Sequence, residues 1–214
     1  MNHFSPADIG PGRDRRRPPR PRPAEPGRWP KLEAALAVVN RDLTATLPGQ
    51  DPLILMVQPP QEASAPSALD RDQVYVAMPD GRWHGNPVNA CDLEDDDPPE
   101  PDDATTVLAV VADAAQSTVM ELLWQVWPIC WEHKIGVHPR PAGSAVHAGG
   151  RYECAPDAAG PPVWWCRGAR DGDGHDVAQV GQLAATLPGK QRRALRRSER
   201  SRSRRRVDGD PGQG

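Results

Sequence analysis

Large aromatic side chains other than tryptophan are almost absent from this chain of 214 residues, which holds one Phe and two Tyr beside seven Trp. A core made from it must rest on Leu, Val, Ala and a few indoles. Gly 19 and Pro 26 together make about a fifth of the chain, so part of it is expected to lack regular structure and the remainder to form one small domain. No long apolar run is present either. The most apolar stretch, residues 105–130, is interrupted by Asp113, Gln116 and Glu121, which argues against a membrane span. No apolar segment follows the early charges, because Arg15-Arg16-Arg17 leads into prolines. Neither a Sec nor a twin-arginine signal is supported, and a cytoplasmic protein is expected. In that setting the four cysteines read as thiols or metal ligands rather than disulfides.

Lysine is scarce as well, three residues against 23 Arg. High-GC coding produces such a bias unaided, which weakens any argument from arginine alone. The net charge of −3 nevertheless hides a segregation. Residues 1–31 sum to +5, residues 32–189 to −15 and residues 190–214 to +7. Basic arms of this kind meet an anionic partner or fold back on their own acidic middle.

Residues 1–28 combine charge with repeated proline and read as a disordered Arg/Pro-rich arm. Arg15-x-x-Pro18 and Arg20-x-x-Pro23 fit a polyproline ligand pattern, which is cheap in such composition. Leu32, Ala35, Leu36, Val39 and Leu43 then recur at helical spacing between Pro30 and the Leu47-Pro48-Gly49 stop. Leu53–Val57, bounded by prolines, has the length of a buried strand. Gln73–Met78 alternates, and Pro79-Asp80-Gly81 turns it towards Arg82-Trp83-His84 as a hairpin. Residues 92–103 carry eight acidic side chains and form a solvated loop. A second helix follows, with Val107, Val111, Ala114, Ala115, Val119, Leu122, Leu123 and Val126 on one stripe and Pro128 ending it. Short strand-like pieces, Val163–Cys166 and Val177–Val180, sit in a loop-rich region. The tail from Pro188 is basic and disordered by its like charges, with a transient helix near Ala194 and Leu195.

The chemistry concentrates in Cys130-Trp131-Glu132-His133, with Cys166 at a strand end and His175 beyond a glycine-rich turn. Two ligands separated by two residues hold one metal on a tight knuckle, and a second pair from a neighbouring hairpin completes a tetrahedral zinc shell. Such a zinc would also help a loop-rich segment to fold. The second pair departs from ribbon spacing, since eight residues separate Cys166 from His175. His138, His147 and Cys154 are the substitutes, and Cys91 stands apart. On the alternative reading the cysteines are buried apolar thiols and the histidines lie on the surface.

The strings W-P-x-C-x-x-H, W-W-C and G-H-x-V-A-x-[IV]-G-x-L resemble those of a group of uncharacterised small proteins from high-GC bacteria. Trp127, Pro128, Cys130, His133, Trp164, Trp165, Cys166, Gly174, His175, Val177, Ala178, Val180, Gly181 and Leu183 carry the resemblance. It implies a shared fold unit over residues 105–183 and no activity. The stretch containing Cys154 lies outside the shared strings, which argues against Cys154 as a ligand.

Signatures of enzymes are missing. H-E-x-x-H, G-x-S-x-G, a phosphate-binding glycine loop and the zinc-deaminase pattern do not occur. Asp171-Gly-Asp173 begins like a calcium loop but lacks its sixth-position glycine and twelfth-position glutamate. The expectation is an α+β domain at 29–187: two helices, a small antiparallel sheet and a loop-rich C-terminal β unit, 130–183, on a zinc-ribbon-like plan. Disordered arms flank it, 188–214 being the second. Its role is a non-catalytic interaction module with a structural zinc on Cys130, His133, Cys166 and His175. One alternative is a sequence-nonspecific nucleic-acid binder acting through the basic tail 190–206; another is an enzyme with a Cys130/His133 centre.

Overall fold

A computed structural model of the chain describes residues 20–60, 72–89, 100–142, 145–146, 152–153, 160–168 and 174–208. His147, Cys154, Cys91, the Arg15-x-x-Pro18 pattern, most of the acidic run and Asp171–Asp173 lie outside these residues. The architecture is α+β, with three helices, two three-stranded antiparallel sheets and a two-stranded ribbon among the described residues.

Strand β1, Arg22–Pro23, lies within the segment expected to be a disordered arm. It pairs antiparallel with β2, Ile54–Gln58, placing Arg22 opposite Val57 and Pro23 opposite Met56. An edge position tolerates the missing proline N–H, and the N–H of Ala24 continues the pairing to the Leu55 carbonyl at 2.9 Å. The ordered unit therefore begins before residue 29. Helix α1, Pro30–Thr46, follows with proline in its first turn. The N–H of Leu32, a free donor of its first turn, donates to the buried Glu100 at 2.9 Å, and Glu33 reaches back to accept from the N–H groups of Gly27 and Trp29 before the helix.

Strand β3, Gln73–Ala77, pairs antiparallel with β2, so that Leu55 and Val57 face Val76 and Val74, all four buried. The hairpin expected beyond it is a single bridge, Ala77 to Trp83. Pairing stops there because the backbone of His84 turns to Thr118, whose hydroxyl accepts from the His84 N–H at 3.3 Å and donates to the Val76 carbonyl at 2.9 Å, with the His84 carbonyl at 3.1 Å as the alternative acceptor. Thr118 belongs to α2, Ala104–Leu123, which Asp103 caps by accepting from the N–H of Thr106 at 2.6 Å. Val107, Val111, Ala115 and Val119 bury one stripe of α2 in the cluster that holds Leu32, Val39 and Leu43 of α1.

α2 ends earlier than its apolar stripe. Trp124 takes a left-handed conformation, φ 52°, and Val126, expected on the stripe, is exposed. The reversal returns Trp127 to the core, where its indole N–H donates to Thr46 at 2.8 Å. By length and composition alone α2 is long and apolar enough to cross a bilayer, although here its buried residues pack within the protein.

The second sheet has the order β4-β7-β8, from His138–Arg140, Val163–Cys166 and His175–Gln179. Between β4 and β7 lies the ribbon β5-β6, Ala145–Val146 and Tyr152–Glu153. A 3-10 turn at Leu183–Thr186 leads into helix α3, Gly189–Asp208. The helix expected only near Ala194 and Leu195 thus spans 20 residues.

Asp42 joins the halves. It lies on the buried side of α1 and has no exposed surface. Its carboxylate accepts from the indole N–H of Trp164 on β7 and the N–H of Leu183, both at 2.7 Å, and from the N–H of Gly181. Burial raises the Asp42 carboxyl above its ordinary pKa, and these donors pull the other way. Gly181 has φ +91°, and a Cβ there would strike Val38, so this close approach to α1 requires glycine.

Candidate metal centre

The first half of the site is a closed loop. Ile129 bridges Gly136, the N–H of Cys130 donates to the Ile135 carbonyl at 2.9 Å, and the N–H of Lys134 donates to the Cys130 carbonyl at 2.8 Å. Lys134 has φ 58° and turns the chain back. Cys130 consequently opens one tight turn and His133 lies within it, which is what two intervening residues permit. Gln116 of α2 fixes this loop at its base. Its side-chain amide donates to the carbonyls of Trp127 and Val137, one on each side of the loop.

The second half depends on an irregularity. Val163 and Trp164 pair with Gln179 and Ala178, but Trp165 pairs with Asp176 and Cys166 with His175. One extra residue, Val177, is thus taken up on β8 as a bulge. In a regular ladder Cys166 would face Asp176; the bulge draws His175 level with Cys166, and directly paired residues project to the same face. Gly174, just before His175, lies so close to the Trp165 indole that a Cβ would overlap it. Eight intervening residues are therefore no obstacle, because the ligand pair spans two neighbouring strand ends instead of one tight turn.

All four expected side chains meet. The candidate ligand atoms of Cys130, His133, Cys166 and His175 lie within 4.8 Å of one another, close enough to bind a metal ion. Cys130 Sγ is 3.7 Å from His133 Nδ1 and 3.7 Å from His175 Nε2, while Cys166 Sγ is 3.4 Å from His133 Nδ1. A tetrahedral ion with sulfur at about 2.3 Å and nitrogen at about 2.0 Å would set its ligand atoms roughly 3.3–3.8 Å apart, and these three sulfur–nitrogen separations fall in that range.

The two thiols are buried at 2% and 0% exposure, and the imidazoles are partly open, at 21% for His133 and 34% for His175. Burial pushes the Cys166 thiol up in pKa. The Gly168 N–H, which donates to its sulfur at 3.4 Å, acts against this, and neighbouring Cys130 adds to the rise. The exposed Glu132 carboxylate lies 4.0 Å from His133 Nε2 and 3.8 Å from His175 Nε2, an acidic rim over the imidazoles. Beneath the thiols, Trp127 and Trp164 meet edge to face at 5.6 Å within the shared core.

His138, the described substitute ligand, is outside this group; its Nδ1 faces Gln116 Oε1 at 3.2 Å. The sequence reading missed Gln116 as a support and Asp42 as the anchor. A signal existed for Asp42, which falls three residues after Val39 on the apolar stripe of α1. Comparison with known protein families, with curated proteins and with solved structures finds no match for this chain.

Proposed function

We propose that this protein is a non-catalytic interaction module whose C-terminal β unit is held by a structural zinc ion on Cys130, His133, Cys166 and His175. The observation that carries the reading is the convergence of two thiols and two imidazoles, from two separate hairpins, within 4.8 Å of one another. Two sulfur and two nitrogen donors suit zinc. Four protein donors also complete its usual shell and leave no open position for a reacting water, which favours a structural role over a hydrolytic one. Each hairpin supplying one Cys and one His is consistent with a ribbon-like plan.

Cobalt substitution tests this reading. Co(II) added to metal-free protein should produce visible bands of tetrahedral geometry and a near-ultraviolet thiolate charge-transfer band, saturating at about one ion per chain. Octahedral-type spectra, or no thiolate band, would remove the proposed ligand set.

A further inference from the structure

Helix α3 is fastened at its base and exposed beyond it. Leu187 is buried, the N–H groups of Gln191 and Arg192 donate to the Pro188 carbonyl, and Arg192 Nη1 reaches the Ala185 carbonyl at 3.4 Å. Lys190, Arg192, Arg193, Arg196, Arg197 and Arg200 are all exposed. At 100° per residue these six fall within one arc of about 160°, with Gln191, Ala194 and Leu195 on the other side. Arg192 and Arg196, Arg193 and Arg197, and Arg196 and Arg200 are each four residues apart, a spacing at which like charges disfavour a helix. A polyanion along the arc would add attraction to each of these charges and so offset their mutual repulsion.

We propose that α3 binds duplex nucleic acid through its phosphates, without base preference. The ten basic residues from Lys190 to Arg206 would be spaced on average about 2.7 Å apart along a helix axis, against about 1.7 Å per phosphate of a duplex. An anionic membrane is the poorer fit, because an interfacial helix needs a broad apolar face and this one offers Ala194 and Leu195. A single strand is also the poorer fit, since no aromatic residue lies between Lys190 and Arg206 on which bases could stack. The strongly acidic residues 32–189 repel phosphate elsewhere on the chain.

The test is fluorescence anisotropy with the full, metal-loaded chain and a labelled duplex DNA of arbitrary sequence. Six neutralised phosphates give a slope of about −5 in log K against log salt. The triple variant R193Q/R197Q/R200Q keeps good helix formers, and should reduce the slope by about 3 and weaken binding at least about tenfold at low salt. R82Q, away from α3, should bind as the parent does. Circular dichroism and metal content show that the variants are folded. The proposal is overturned if the triple variant binds the duplex like the parent, if R82Q loses as much, or if phosphatidylserine vesicles or single strands are bound more tightly. Metal content decides the zinc reading separately, so failure of one leaves the other standing.

Discussion

Cys166 shows how one side chain is committed by its neighbours. It has no exposed surface, its sulfur accepts from the Gly168 N–H, and a bulged ladder sets it opposite His175. As a plain apolar thiol it would tolerate serine at a modest cost, whereas as a ligand it would not, because a serine hydroxyl is a poor zinc donor. C166S is therefore expected to lower bound metal below about a tenth of an ion per chain, since losing one of four donors opens the shell. H138A, which removes an imidazole outside the group, should keep the parent's content. Elemental analysis of the two purified variants reads both outcomes, and equal metal in C166S and the parent would exclude Cys166 as a ligand.

At the scale of elements, the contact between α1 and the C-terminal β unit is organised by Asp42. Removing its carboxylate in D42A leaves the donors of Trp164, Gly181 and Leu183 buried without their acceptor, which should cost about 3 kcal/mol in urea unfolding. The sign of the pH effect follows from the raised pKa. The unfolded carboxyl ionises near 3.8 and the folded one at higher pH. Between the two the folded state binds more protons, so the stability from this site falls as pH rises through that window. D42N cannot titrate, and its urea midpoint should lack this component when compared with the parent from about pH 4 upward. An identical pH profile for the two proteins would contradict it. Both main helices were legible in the sequence because apolar spacing and proline stops report local periodicity. The candidate ligand set was legible too, as residue types and the short Cys130–His133 spacing. What stayed hidden was non-local: the bulge at Val177, the capture of His84 by Thr118, and the pairing of Arg22 with Val57 inside a segment that reads as charged and disordered. Strand pairing of this kind depends on residues far apart in the chain, and composition carries no trace of it.

Across the whole molecule, a core of Val, Leu and Ala with three buried indoles supports α1, α2 and the first sheet, while the second sheet consists of strands of three to five residues. So short a sheet would gain much from a metal, since a shell that assembles only in the folded chain turns binding energy into folding energy, on the order of 10 kcal/mol in small zinc domains. The basic helix leaves from the same unit, so the centre would also hold the platform from which α3 projects. The most direct test measures bound zinc and folding together as a strong chelator is titrated into purified protein. The account predicts about one zinc per chain and, on its removal, loss of the tertiary tryptophan signal and of hydrogen-exchange protection in β4, β7 and β8. Less than about 0.2 zinc per chain, with folding unchanged in chelator, would contradict it.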